Sequence, residues 1–472
     1  MAPFKKIRTK EENVMDTHEV ASADDLRALI EERDVEYVVV ALPDMQGLLR
    51  GKYLSRRKFL GALDDGLGVP PVIFAMEPTD MLYEVVGLSD ASTGFPDAPA
   101  QVIPETLREI PWEPGHRNLF VLLTHGQDGM AFCPRVICQR VLDRAGAMGF
   151  RAFTACEFEF ALFNETASSA FEKGYRNLAL TVPHKGYSVL ERQNARSEFY
   201  ADLLDTMRAM RIPLEAVHEE IGFPSQLEAS LQYAEGLTSP DNAVMFKSFA
   251  KSVAKRRGQL LSFMARWHND VDGNSGHIHT SLRDTEGNPV FFDARKPHGI
   301  SDTMRYFIGG LQKVLPELTV LLAPNVNSFK RFVPDRFAPT SVAWGLENRT
   351  VGLRAVSGSP ASRRLECRLP GADANPYLSI AATLVAGLYG IENRIEPSPE
   401  TEGNAYLQKI PTKLRLPASY AEGIERLNRS KVAREWIGDE FVETFVSGRR
   451  AQEEEFRNLI TEAEVERFLE LS

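Results

Sequence analysis

Cys156-Glu157-Phe158-Glu159-Phe160-Ala161-Leu162-Phe163 reads as a strand with two unlike faces. Residues two apart on a strand share a face, so Glu157 and Glu159 point one way and Phe158 and Phe160 the other. The two acids then stand roughly 7 Å apart at the edge of an apolar layer, from the rise per residue of a strand. Such a pair calls for a cation. Taken alone, the segment reads more simply as an amphipathic strand carrying two solvated acids.

Three later segments repeat the design. In Gln226-Leu227-Glu228-Ala229-Ser230-Leu231 an acid alternates with apolar residues, and Glu220 lies just upstream. In Gly273-Asn274-Ser275-Gly276-His277-Ile278-His279-Thr280-Ser281-Leu282 two imidazoles share a face after a glycine-bearing turn. In Leu365-Glu366-Cys367-Arg368-Leu369 an acid and a guanidinium share the polar face. Alternation with one buried face predicts that these strands neighbour one another in one sheet. Glu157, Glu159, Glu220, Glu228, Glu366 and His277 then converge.

The chain has 472 residues, enough for two or more domains and a large core. It is 43% hydrophobic and 25% charged, ordinary for a globular protein. A net charge of −10 argues against nucleic-acid binding, which needs a basic footprint. No apolar run reaches membrane-spanning length, and Met1 to His18 lacks the apolar core of a signal peptide, so a cytoplasmic location is expected. Cys133, Cys138, Cys156 and Cys367 show no CxxC spacing and read as reduced packing residues.

Residues 1–20 mix charges with few apolar side chains and read as a flexible arm. Ser22-Ala23-Asp24-Asp25 opens an amphipathic helix. Tyr37 to Leu42 is a buried strand, and Asp44-Met45-Gln46-Gly47 a turn into a second one. Further strands are predicted near Val72–Met76 and Phe120–Leu123. Residues 21–127 thus form a small α+β domain, with a boundary at Gly126-Gln127-Asp128-Gly129 and a second domain over 128–472. There Pro134 opens a helix that stops near Gly149. Asn194 to Met210 is helical with Phe199, Leu203, Leu204 and Met207 on one stripe, and Thr238-Ser239-Pro240-Asp241 caps a helix to Arg257. Residues 301–316, 375–396 and most of 417–471 are also predicted helical.

An oxygen-dominated site suits Mg²⁺ or Mn²⁺ better than a soft metal, though His277 also admits Zn²⁺. One divalent ion would leave the five carboxylates three charges in excess; two leave one. Two metals beside arginines are what phosphoryl transfer needs, because charge develops on the phosphate oxygens. Arg331, Arg349, Arg354, Arg364 and Arg368 supply the guanidiniums. No Walker-type loop occurs, so metal and arginine would have to hold the phosphates.

With these motifs in order, the chain resembles the bacterial-type glutamine synthetase family over nearly its whole length. The resemblance rests on the E-x-E strand, His218-Glu219-Glu220 to Glu228, Gly273 to Leu282, Asn327 through Arg354, and Leu365 to Pro370 followed by Ala374-Asn375-Pro376-Tyr377-Leu378. It implies an α+β fold: a small β-grasp N-terminal domain, and a catalytic domain whose curved antiparallel sheet forms a funnel covered by helices. It also implies a homo-dodecamer of two hexameric rings with shared active sites. It assigns Glu159, Glu220 and Glu228 to the metal nearer glutamate, and Glu157, His277 and Glu366 to the metal nearer the ATP phosphates. Arg331 and Arg368 match ligands of the glutamate carboxylate, with Gly273 and Asp272 lining that pocket. Arg349, Arg354 and Arg364 match phosphate contacts, and Tyr233 and Ser281 nucleoside contacts.

The ammonia half of the family pattern is absent. Phe337 stands where the resemblance places a catalytic glutamate, and Val72-Ile73-Phe74-Ala75-Met76 lacks the aspartate-glycine-serine turn that helps bind ammonium. Ser225 replaces a usual glycine and Asp272 an asparagine beside the glutamate pocket. The resemblance then points to the branches that join glutamate to polyamines, alkylamines or anilines with ATP through a γ-glutamyl phosphate. Ordinary glutamine synthesis is the alternative within enzymes. A silent structural or regulatory oligomer is the alternative outside them, disfavoured because six retained ligand positions would bury carboxylates without compensation.

Overall fold

A computed structural model of the chain describes residues 17–85, 88, 94–126, 132–334, 336 and 338–471. Residues 127–129 of the expected boundary and most of the expected N-terminal arm lie outside them. The first sheet comprises β1 (Tyr37–Pro43), β2 (Leu49–Ser55), β3 (Leu67–Val69), β4 (Ala98–Val102), β5 (Arg108–Glu109) and β6 (Leu119–His125). They run in the order β2-β1-β6-β4-β3, with β5 on β6, and β1 lies parallel to β6. Ser22 and Asp25 close the expected capping box on the helix Ala23–Glu32, which buries Leu26, Leu29 and Ile30. The expected strand at Val72–Met76 is instead a 3₁₀ helix, Pro71–Ala75. Pro70 and Pro71 fix φ and remove two donors, and Val72, Ile73, Phe74 and Ala75 are all buried, which a one-faced strand does not allow.

The second sheet holds β7 (Phe150–Phe163), β8 (Leu214–Glu219), β9 (Gln226–Leu231), β10 (Ala234–Glu235), β11 (Leu260–Ser262), β12 (Gly276–Asp284), β13 (Trp344–Leu346), β14 (Leu353–Val356) and β15 (Arg364–Cys367). Its order is β13-β14-β15-β12-β7-β9-β8, with β10 and β11 also pairing with β7. All pairs are antiparallel except β13 with β14, where the short Glu347–Gly352 loop carries the chain back to the starting end. The apolar side of β7 is covered by the helix Thr238–Arg256: Phe158 stacks on Phe246 with centroids 6.0 Å apart, and Phe263 packs against Phe160 at 5.5 Å.

Behind that layer the helices Asp302–Leu322 and Pro376–Glu392 cross closely, and a Cβ on Gly310 would lie 2.5 Å from the Gly390 Cα. The first of these was expected to end at residue 316. It continues through Pro316 because Leu315, Leu318, Val320 and Leu321 are buried, and that packing outweighs the roughly 3 kcal/mol an internal proline costs. The second ends at Glu392 rather than 396. Helix Ser197–Ala209 starts later than expected, and Leu204 is exposed rather than on its buried stripe. Helix Thr238–Arg256 has Leu237 at its N-cap and no side-chain cap, rather than one from the Thr238–Asp241 segment. The four cysteines are free and buried, as expected. No helix of the described residues is long and apolar enough to cross a membrane.

Candidate active site

The five strands β15, β12, β7, β9 and β8 are consecutive neighbours, and their register sets the site. Glu157 lies opposite His277, Glu159 opposite Glu228, Glu228 opposite His218, and His279 opposite Glu366. Directly opposed side chains have Cβ atoms about 5 Å apart, close enough for carboxylates and imidazoles to share one ion. Among the described residues, three groups have ligand atoms mutually within 4.8 Å: Glu157, Glu228 and His277; Glu157, His279 and Glu366; His218, Glu220 and Glu228.

Five of the six expected metal ligands fall in these groups. Glu159 does not: its carboxylate accepts the Ser275 N–H at 2.7 Å and the Gln226 side-chain amide at 3.3 Å. His277 donates or accepts at Nδ1 with Glu157 at 3.2 Å, while its buried Nε2 has no hydrogen-bond partner among the described residues. An orphaned imidazole nitrogen among acids, with oxygen donors around it, fits a divalent cation.

The electrostatics of the cluster pull its members apart. Burial raises Glu228, and Glu157, Glu159 and Glu220 raise it further, well above the usual carboxylate range. Burial would also raise Glu157, but its hydrogen bonds to His277 and His279 hold it well below that range. At Glu366 burial is outweighed by Arg368, His277 and His279, which bring it down to about 2. Arg354 donates to Glu366 at 2.8 Å and to Glu347 at 2.6 Å, and Arg368 also pairs with Glu366.

Two cavities meet at this cluster. One, of about 460 Å³, is lined by the acids together with Arg331, Arg349, Arg354, Arg368, Asp272 and Gly273. The other, of about 520 Å³, holds Tyr233 and Ser281 beside Phe153 and Arg283, whose guanidinium lies 4.3 Å from the Phe153 ring centre. Glu157, His279 and Arg364 line both. Arg331 is buried, donates to Ser275 Oγ at 3.2 Å and to the Leu369 carbonyl, and is brought down to about 10 by burial. Gly273 makes room for it: a Cβ there would lie 2.4 Å from Arg331 Cγ and 2.6 Å from the Ala265 carbonyl oxygen. Asp272 pairs with Arg336 at 3.1 Å. Phe337 lies outside the described residues.

Sequence reasoning left several cavity residues unassigned. His218 stands two residues before Glu220 and shares its face, bonding it at 3.1 Å, and His279 stands two residues after His277 on the same face, its Nε2 3.4 Å from Glu157. Period-two alternation applied to every polar residue finds both. Gln226, Arg336 and Tyr187 carry no such signal. Gln226 is placed by four side-chain hydrogen bonds, to Glu159, the Gly273 carbonyl, Asn274 Oδ1 and the Gly222 N–H. Tyr187 meets His218 edge-on at 5.7 Å.

Comparison with known proteins gives this geometry relatives. The family model described as glutamine synthetase, catalytic domain, matches residues 131–468. Type-1 glutamine synthetase 2 of Dictyostelium discoideum is 38% identical over 92% of this chain and 84% of its own. Gamma-glutamylethanolamide synthetase GlnA4 of Streptomyces coelicolor is 36% identical over 95% of each chain. The solved structure of ligand-free GmaS superposes with a TM-score of 0.81 at 26% identity, covering 94% of this chain and 99% of that one. With the catalytic-domain match running from before β7 to the last helix, and identities above 30% over more than nine-tenths of its length, the chain belongs to the glutamine synthetase family of ATP-dependent ligases.

Proposed function

We propose that this ligase joins the γ-carboxylate of glutamate to an organic amine through a γ-glutamyl phosphate, using ATP and two divalent cations, Mg²⁺ or Mn²⁺. The observation that carries the reading is Phe337: a ring that accepts no proton stands where the resemblance places the acid that serves ammonia. The relative from Streptomyces coelicolor, by its name a γ-glutamylethanolamide synthetase, supports it.

In this mechanism Arg331 and Arg368 hold the glutamate carboxylate, and Tyr233 and Ser281 the nucleoside. Arg349, Arg354 and Arg364 face the phosphates. The junction of the two cavities at Glu157, His279 and Arg364 supports phosphoryl passage from one to the other. Glu157, His277 and Glu366 would hold one cation and Glu159, Glu220 and Glu228 the other, with His218 and His279 as further donors; bound there, the cations neutralise phosphate oxygens as charge develops. To join Glu220 and Glu228, Glu159 would have to give up the hydrogen bond it accepts from the Ser275 amide. An amine then displaces phosphate from the acyl phosphate, and an apolar residue at position 337 in place of an acid favours an amine that carries a carbon chain over ammonia.

The reading also takes residues 21–127 as a β-grasp domain, which the parallel β1–β6 pair supports, and residues 128–472 as the catalytic domain. Two stacked hexameric rings would let one chain's first domain complete its neighbour's site. ATP and glutamate as substrates suit the cytoplasm. Ordinary glutamine synthesis is the second reading, favoured by the name of the Dictyostelium discoideum relative. Incubation with ATP, glutamate, either metal and a panel of amines, scored for phosphate release and product mass, tests the proposal. A γ-glutamylamide mass is expected; phosphate release with ammonia alone would give the second reading.

A further inference from the structure

Behind the strand bearing Glu157 and Glu159 lies a buried cation that the reaction does not use. Lys247, on helix Thr238–Arg256, is 7% exposed, and its Nζ donates to the Ala374 carbonyl at 3.0 Å. The ring centres of Phe158 and Phe263 each lie 5.6 Å from that nitrogen. The acids nearest it are engaged elsewhere. Asp44 pairs with Arg50 at 2.8 Å, and Asp373 accepts from Asn325 at 2.8 Å and Ser328 at 2.6 Å. The remaining ionisable neighbours are the buried Cys156 thiol and a second cation, Lys251. One turn along the same helix face, Lys251 stands 5.7 Å from the Phe263 ring centre. Like charges four residues apart repel, and a buried ammonium without a counter-charge is costly. Burial, with Lys251 adding to it, brings Lys247 down to about 7.

Both lysines face a cavity of about 430 Å³, lined on its other side by Gly47 of the turn between β1 and β2, by Arg50 of β2, and by Pro78 and Asp80 of the loop that follows the 3₁₀ helix. Arg50 pairs with both Asp44 and Asp80, so with the two lysines protonated three cations face two acids and the cavity keeps an excess of positive charge, carried by the lysines that have no acid of their own. Arg331 shows the same pattern: it is buried, donates to neutral oxygens and is turned to a cavity.

We propose that the cavity between the β1–β2 turn and helix Thr238–Arg256 binds a small dianion, a phosphate group or a dicarboxylate, held by Lys247 and Lys251. The dianion clamps the turn of the first sheet to the helix that backs the second. Because Lys247 rests on Phe158, between Glu157 and Glu159 in sequence, occupancy also stiffens the strand that carries those acids. The bound anion favours protonated Lys247, so binding near neutral pH takes up protons.

Calorimetric titration of the full chain, its reaction site saturated with ADP, Mg²⁺ and glutamate, tests this with inorganic phosphate and glutarate as probes. Binding of either probe is expected, at least tenfold weaker in Lys251→Ala, and the tighter probe tells phosphate from carboxylate. Wild type should take up protons in buffers of differing ionisation heat near pH 7.5, and Lys247→Met should not. Failure of both probes to bind overturns the proposal, as does binding that Lys251→Ala leaves unchanged. Lys251 sits at the solvent-facing mouth, so its variant reports even where Lys247→Met fails to fold.

Discussion

Glu228 makes the cost of assembling this site measurable. Its carboxyl is buried and faces three other acids, so without a cation it keeps its proton at neutral pH. A divalent ion must displace that proton to use the oxygen. The sign follows. Cation binding releases close to one proton through Glu228, and apparent affinity rises with pH by up to about tenfold per unit between the ordinary carboxylate range and the raised one. Without cations the folded chain binds one more proton here than the unfolded chain does in that window, so this group's contribution to stability falls as pH rises. Added Mg²⁺ or Mn²⁺ should therefore raise the melting temperature more near pH 8.5 than near pH 6. Titration calorimetry in two buffers reads the protons, and should saturate at two ions per chain with nucleotide present. Glu228→Gln should abolish most of the proton release and flatten the pH dependence. Affinity constant from about pH 6 to 9 with no protons released would refute the reasoning, and saturation at one ion would refute the pair of metals.

Three further outcomes are expected. Asp241 is buried, accepts from Arg135 at 3.0 and 3.1 Å and from the Tyr377 hydroxyl at 2.6 Å, so Asp241→Ala strands a buried guanidinium and should cost about 3–5 kcal/mol in chemical denaturation. Gly273→Ala pushes into Arg331 and should raise the KM for glutamate on the order of tenfold while leaving that for ATP nearly unchanged; an unaltered glutamate KM would remove Arg331 from the pocket. Sedimentation should show activity in a double ring, and a fully active monomer would contradict the shared site.

The site was legible wherever chemistry rides on alternation. Glu157 with Glu159, and His277 with His279, announce strands whose polar face is a site, and those strands are neighbours in the sheet. Register was not legible, because it depends on which strand pairs with which. That Glu159 meets Glu228 and turns to the Ser275 amide, leaving the close ligand groups, needs the β7–β9 and β7–β12 pairings in place. Gln226 and Arg336 act across loops distant in sequence, and no local period marks them. In the first sheet, Val72–Ala75 has strand-forming residues, yet two prolines and burial on all sides turn it into a 3₁₀ helix. Helix Asp302–Leu322 errs the other way, tertiary packing carrying it past Pro316.

The choice of nucleophile is the central claim, and a single-tube competition measures it. Burying two methylenes of an amine against an apolar wall contributes about 1.6 kcal/mol, on the order of tenfold, where ammonia gains nothing. With ATP, glutamate and equal concentrations of ammonia and ethanolamine near pH 8, the ratio of γ-glutamylethanolamide to glutamine gives the ratio of kcat/KM directly. At least tenfold in favour of the amide is expected from ethanolamine or another amine of the panel, with Phe337→Glu narrowing the gap. Glutamine as the main product against every amine would contradict the account and make the chain an ordinary glutamine synthetase.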